Sequence, residues 1–146
     1  FSDWVGILVA FLISKDSFLV SCVINSLSKI FWQVKDEVNL LCRTAETLLP
    51  LLRENISEIT KAIFLFIRVL VYILHSHGDV KIEENNKSKV YNIKNFAKFF
   101  VPLIMKSSIA SHFKVKLRNL LKCLILKLSI DDVKEIVGEN DVALVN

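Results

Sequence analysis

The stretch Ile56-Ser57-Glu58-Ile59-Thr60-Lys61-Ala62-Ile63-Phe64-Leu65-Phe66-Ile67-Arg68-Val69-Leu70-Val71-Tyr72-Ile73-Leu74-His75 decides the fold. Its apolar residues do not keep to one stripe: Ile59, Ala62, Ile63, Phe64, Leu65, Phe66, Ile67, Val69, Leu70, Val71, Ile73 and Leu74 point in nearly every direction of a 3.6-residue repeat. A helix that is apolar nearly all round is a central one, covered on several sides. The spacing therefore predicts a buried helix over about 57–75. Lys61 and Arg68 cut the run short of the roughly 20 apolar residues that a membrane crossing needs.

The helical period continues on both sides. Upstream, it predicts a helix over about 3–14 with Ser2 as N-cap, a break at Ser14-Lys15-Asp16, a helix over about 17–34, and another over about 38–52. Leu19, Val20, Val23, Ile24, Leu27, Ile30 and Phe31 carry the inward spacing of the second; Leu40, Leu41, Ala45, Leu48 and Leu49 carry that of the third. Downstream, residues 76–95 are polar, with Gly78, Asp79, Glu83, Glu84, Asn85, Asn86, Lys87 and Lys89, and read as a flexible loop. Helices follow over about 91–107 and 111–128. A short one over 130–137 is capped by Asp131 or Asp132 and stopped by Gly138, and a tail covers 138–146. The helices thus fall into pairs at about 3–34, 38–75 and 91–128. Short connections make partners antiparallel neighbours.

Pairs of helices recurring at this spacing point to a solenoid of HEAT or armadillo type. Pro50 and Pro102 sharpen the expectation. Each lies late in the first helix of its pair, within a run of large apolar residues, where a proline removes a hydrogen bond and kinks the helix. The expected fold is all-α: a right-handed helix-pair solenoid segment of about three pairs plus a short C-terminal helix. An ordinary helical bundle with two incidental kinks is the alternative.

Composition agrees with a packed domain. Of 146 residues, 53% are hydrophobic and 23% charged, the mean hydropathy is +0.47, and there are only three Gly and two Pro. That excludes disorder and disfavours a turn-dense β fold. The longest charge-free runs, Trp4 to Ser14 and Ser17 to Ser28, are too short to span a bilayer, and the N-terminus lacks the basic and small-residue signature of a signal peptide. Cys22, Cys42 and Cys123 stand singly in apolar periodic stretches and are expected as buried, reduced thiols, neither a disulfide frame nor a zinc site.

The ordered set of packing motifs resembles the ribosomal-RNA-processing-twelve family, long karyopherin-like factors of small ribosomal subunit assembly, near that family's C-terminal end. Glu58, Ile59, Lys61, Phe66, Ile67, Arg68 and Val69 fit one of its HEAT helices. Phe113-Lys114-Val115-Lys116-Leu117-Arg118-Asn119-Leu120-Leu121-Lys122-Cys123-Leu124-Ile125-Leu126-Lys127-Leu128 has the rhythm of its basic-apolar helix, and Val20 to Phe31 resembles an earlier helix of alternating small and large residues. Departures exist: Leu65 stands where the family pattern has glycine, Ile130 to Val133 replaces an aromatic-glycine turn, and Val137-Gly138-Glu139 replaces a valine-proline-glutamate segment. The resemblance implies a non-catalytic scaffold that aids maturation and nuclear export of the small-subunit precursor. Its implied partners are the pre-ribosomal particle, its rRNA and assembly proteins, and its implied place is nucleolus and nucleus with shuttling to the cytoplasm.

Charge is uneven. Residues 1–80 carry seven basic and eight acidic side chains, residues 81–127 eleven and two, and residues 128–146 one and five. Lys114, Arg118 and Lys122 recur along one ridge of a helix, with Lys106, Lys116 and Lys127 nearby, and form the candidate surface for RNA phosphates or an acidic protein. A solvated helix face is the bland reading. Phe1, Trp4, Ile7, Leu8 and Phe11 form a candidate stacking face, expected to be covered by preceding repeats of a longer chain or by a partner. No catalytic constellation, metal set, cofactor or small-molecule site is expected: His75 and His77 are at i, i+2, His112 stands alone, and the glycines are isolated. A nuclear transport receptor or protein-only HEAT adaptor is the alternative function. A compact helical protein that takes partner helices in a groove is a third.

Overall fold

The structure, a computed structural model, describes residues 2–54, 56–84 and 86–106, together with Asn119 and Lys122. The expected helices over 111–128 and 130–137 and the tail lie otherwise outside the described residues. Among the described residues up to 106 there are five α-helices and one two-stranded sheet: α1 (Ser2–Ala10), α2 (Ser17–Gln33), α3 (Val38–Leu48), α4 (Ser57–His77), β1 (Val80–Glu84), β2 (Lys87–Tyr91) and α5 (Ile93–Lys106). Single 3₁₀ segments, Phe11–Ile13 and Leu49–Glu54, extend α1 and α3.

The chain is mostly helical, with boundaries close to those the sequence predicts. Ser2 is the first residue of α1 rather than a cap before it. At α2, Asp16 is the cap: its Oδ1 accepts from the backbone N–H of Phe18 at 3.0 Å and of Leu19 at 3.3 Å, which satisfies two N–H groups that no helical carbonyl reaches. The two prolines act differently. At Pro50 the α-helix gives way to the 3₁₀ segment, whereas Pro102 is accommodated inside α5.

Within segment 76–95, expected as a flexible loop, Val80–Glu84 and Lys87–Tyr91 form a β-hairpin, and the ends belong to α4 and α5. Val80 pairs with Tyr91 and the antiparallel register runs to Glu84 opposite Lys87. On β1, Val80 and Ile82 are buried while Lys81 and Glu83 are exposed, the period-2 alternation of a half-covered strand; on β2, Lys87 to Val90 are exposed and Tyr91 is buried. Asn86, at φ 62°, supplies the left-handed turn residue that a tight hairpin requires. Gly78, at φ 73° and ψ −145°, redirects the chain from α4 into β1 through a conformation that only glycine adopts easily. The hairpin corrects the loop expectation, while the chain remains mostly helical, consistent with the all-α class apart from this small sheet.

Adjacent helices pack on each other: α1 and the 3₁₀ segment after it on α2, and α3 on α4. The most extensive contact joins α2 to α4. Matching ends meet: Phe18 and Asn25 share a surface with Glu58 and Lys61, Phe31 meets Phe66, and Trp32 meets Tyr72, so the two helices run side by side in the same direction. Ile24, Leu27, Phe31, Ile63, Phe66, Ile67 and Leu70 are fully buried in that contact region and centre the core. The buried hydroxyl of Ser28 donates to the carbonyl of Ile24 at 3.0 Å, and no buried side-chain polar atom among the described residues lacks a partner.

Contrary to the expectation that Lys61 and Arg68 cut it short, helix α4 is long and apolar enough to cross a membrane, with a mean hydropathy of 1.7, but 67% of its apolar stretch is buried inside the protein. Its apolarity is consumed by neighbouring helices. It is also not covered all round: Glu58, Lys61, Leu65, Arg68, Tyr72 and His75 are exposed, one continuous stripe at i, i+3, i+7 spacing.

Candidate functional site

The exposed stripe of α4 lies beside a matching one on α2, made by Phe18, Cys22, Asn25, Lys29 and Trp32, of which Asn25 is half-buried. Between the two helices runs a cleft. Its first half, about 550 Å³, is lined by Ser28, Lys29, Trp32 and Gln33 from α2 and by Leu65, Arg68, Val69 and Tyr72 from α4. Its second half, about 650 Å³, shares Leu65 and Arg68 and continues past Phe18, Ser21, Asn25, Glu58 and Lys61. Asn119, helical and exposed, also lines this second half.

The first half has a distinct chemistry. The Trp32 and Tyr72 rings pair at 5.0 Å between centroids, tilted by 54°, yet remain 41% and 48% exposed. Lys35, just past the C-terminus of α2, places its Nζ 4.1 Å from the Trp32 centroid and 5.8 Å from that of Tyr72, a cation held against both rings. Among the described residues no carboxylate lines this half and none pairs with Lys29 or Arg68. Among those lining the second half, Glu58 is a carboxylate, alongside Lys61 and Arg68.

A second concavity, about 690 Å³, lies on another side of the molecule, among Glu46, Pro50, Lys89, Val90, Tyr91, Phe96 and Phe99. It is bridged by the ion pair of Lys89 with Glu46, and Tyr91 stacks on Phe96 at 5.6 Å. Arg53 lies 5.4 Å from the Phe99 ring. These contacts tie the hairpin and α5 to α3 and the 3₁₀ segment after it.

Of the expected ridge, Lys122 is helical and exposed and Lys106 ends α5; Lys114, Lys116, Arg118 and Lys127 lie outside the described residues. Of the expected stacking face, Trp4, Ile7 and Phe11 are exposed at 70%, 55% and 46%, while Leu8 is half-buried against the core. Phe1 lies outside the described residues. The thiols divide. Cys42 is fully buried, and desolvation, with a smaller repulsion from the Glu46 carboxylate, pushes it up to about 12. Cys22 is exposed, contrary to the expectation of burial: it falls on the outer stripe of α2, where a small apolar residue looks the same in sequence as a buried one. His75 and His77 are exposed at the end of α4, and no group of three metal-ligating side chains occurs among the described residues.

The Trp32–Tyr72–Lys35 cluster is the part of the site that the sequence reading did not single out. The available signal was registral: Lys61, Leu65, Arg68 and Tyr72 repeat at i, i+4, i+7 and i+11, so the two cations mark the outward stripe on which Leu65 and Tyr72 also lie. No family model, curated protein or solved structure matches the chain.

Proposed function

We propose that this chain is a segment of a HEAT-type helical solenoid that acts, without catalysis, as a scaffold in small ribosomal subunit maturation and nuclear export. It works in nucleolus and nucleus, shuttles to the cytoplasm, and binds pre-rRNA and assembly proteins. The observation that carries the architecture is the side-by-side, same-direction packing of α2 and α4, each following a helix on which it packs. Stacked helix pairs place the second helices of successive pairs next to one another in this way. The exposed apolar residues Trp4, Ile7 and Phe11 suit a face that preceding repeats cover. The ordered resemblance of the sequence supplies the biological role, and the basic block that includes exposed Lys122 supplies the affinity for RNA.

Filter binding of a pre-rRNA fragment across a salt series tests this reading. The scaffold is expected to lose affinity steeply with salt, and Lys114→Glu, Arg118→Glu and Lys122→Glu together are expected to abolish most of the slope. Undiminished RNA binding and pre-ribosomal association in that triple variant at low salt overturns the ridge. A chain that binds no RNA at any salt but retains protein partners is a protein-only adaptor.

A further inference from the structure

We propose that the first half of the α2/α4 cleft holds unpaired nucleotides of RNA, a base stacking on Trp32 and Tyr72 and the phosphates meeting Lys29, Lys35 and Arg68. This rests on the reading of an RNA-contacting scaffold and assigns it a second contact, separate from the basic ridge.

Three observations converge on this ligand. The first is an aromatic pair kept open. Trp32 and Tyr72 are held in place by the helices beneath them, beside the buried Phe31 and Val71, and still present about half of their surface to solvent at the mouth of a cleft of about 550 Å³. The second is charge complementarity. Three cations surround this apolar floor, and among the described residues no carboxylate lines it and none pairs with Lys29 or Arg68. The third is the Gln33 amide on the lining, a donor and acceptor suited to a base edge.

Other occupants use only part of this. An apolar peptide would desolvate the cations without matching them. Duplex RNA offers phosphates but keeps its bases stacked inside the helix, leaving the rings idle. A single strand supplies both a polyanionic backbone and flat apolar faces, and stacking on aromatic side chains in a basic groove is how such strands are held without sequence preference.

The chain's two tryptophans make the test direct. With Trp4→Phe, the emission of Trp32 alone is followed as a short, unstructured, labelled oligoribonucleotide is added at low salt, with label anisotropy reporting binding. Expected is a saturable quench of Trp32 that tracks the anisotropy. Trp32→Ala and Tyr72→Ala are each expected to weaken binding about tenfold, and Trp32→Phe to retain most of it. Both rings are at the surface, so these variants fold, and circular dichroism checks it. RNA that binds without moving Trp32 emission overturns the cleft proposal and leaves the scaffold reading intact. No RNA binding at all overturns both. An equal quench by duplex RNA overturns stacking, and a quench by an acidic peptide but not by RNA makes the cleft a peptide groove.

Discussion

Two aromatic pairs join the same two helices. Phe31 and Phe66 meet edge to face at 6.3 Å with neither ring reaching solvent; Trp32 and Tyr72 meet at 5.0 Å and stay about half exposed. On α2 a single residue step separates Phe31 from Trp32, so on that helix the difference comes from rotation about the axis rather than from position along it. On the inner side, rings fill space that would otherwise be a void. On the outer side, the same kind of residue meets a ring of cations and an open cleft. Aromatic content alone says nothing about which role a residue plays; the side of the helix decides it.

The sharpest way to break this comparison is to truncate both pairs. Phe66→Ala should lower unfolding free energy by about 3–5 kcal/mol, through lost apolar contact and the cavity left in a core that collapses only partly. Urea denaturation checks it, and an equal cost for Tyr72→Ala would erase the distinction drawn between the pairs.

The thiols repeat the contrast in a form that pH can read. Cys42 stays protonated in the folded protein up to about pH 12, whereas in the unfolded chain it ionises near the ordinary thiol value of 9.0. Between those values the unfolded state binds fewer protons, so folding stability falls as pH rises through that window, by about 1.4 kcal/mol per unit from this group. Cys42→Ala should flatten that part of the slope relative to the parent chain, measured as urea midpoints at several alkaline pH values. A thiol reagent at neutral pH should modify Cys22 in the native protein and reach Cys42 only on unfolding; simultaneous modification of both would contradict the burial of Cys42.

The outer side should give smaller effects. Asp16→Ala removes the cap at the start of α2 and is expected to cost about 1 kcal/mol, with Asp16→Asn close to neutral. Tyr72→Ala should cost only about 0.5 kcal/mol, because a half-exposed ring forfeits little burial and a modest ring contact. Thermal melts of the two variants side by side rank them; a Tyr72→Ala cost above that of Asp16→Ala would move Tyr72 into the structural set.

The helices were legible because their signal is local. Apolar spacing places α2 within a residue of its observed ends, and the density of apolar residues marks α4 as central. The hairpin was obscured by its composition: the charges that suggest a loop occupy the solvent-facing positions, while Val80, Ile82 and Tyr91, the residues that dock it, are few. The alternation was present but short, and a short pattern weighs little against so many polar residues. The outer stripe of α4 was hidden for the opposite reason. Leu65 is as apolar as Phe64 and Phe66, and only the register set by Lys61 and Arg68 separates it from them. Pro50 and Pro102 looked equivalent because a proline's cost depends on whether the preceding turn can tighten or bend, which is a property of the packing around it.

The hairpin has a mechanical consequence. It joins α4 to α5, and Val80 and Tyr91 stand opposite each other at its open end. Tension carried along the chain therefore pulls the two strands apart like a zipper, breaking their hydrogen bonds one pair at a time from that end. The α2/α4 contact must instead yield over its whole length at once. Under load, the chain gives first between α4 and α5, extending at low force while the core between α2 and α4 stays closed.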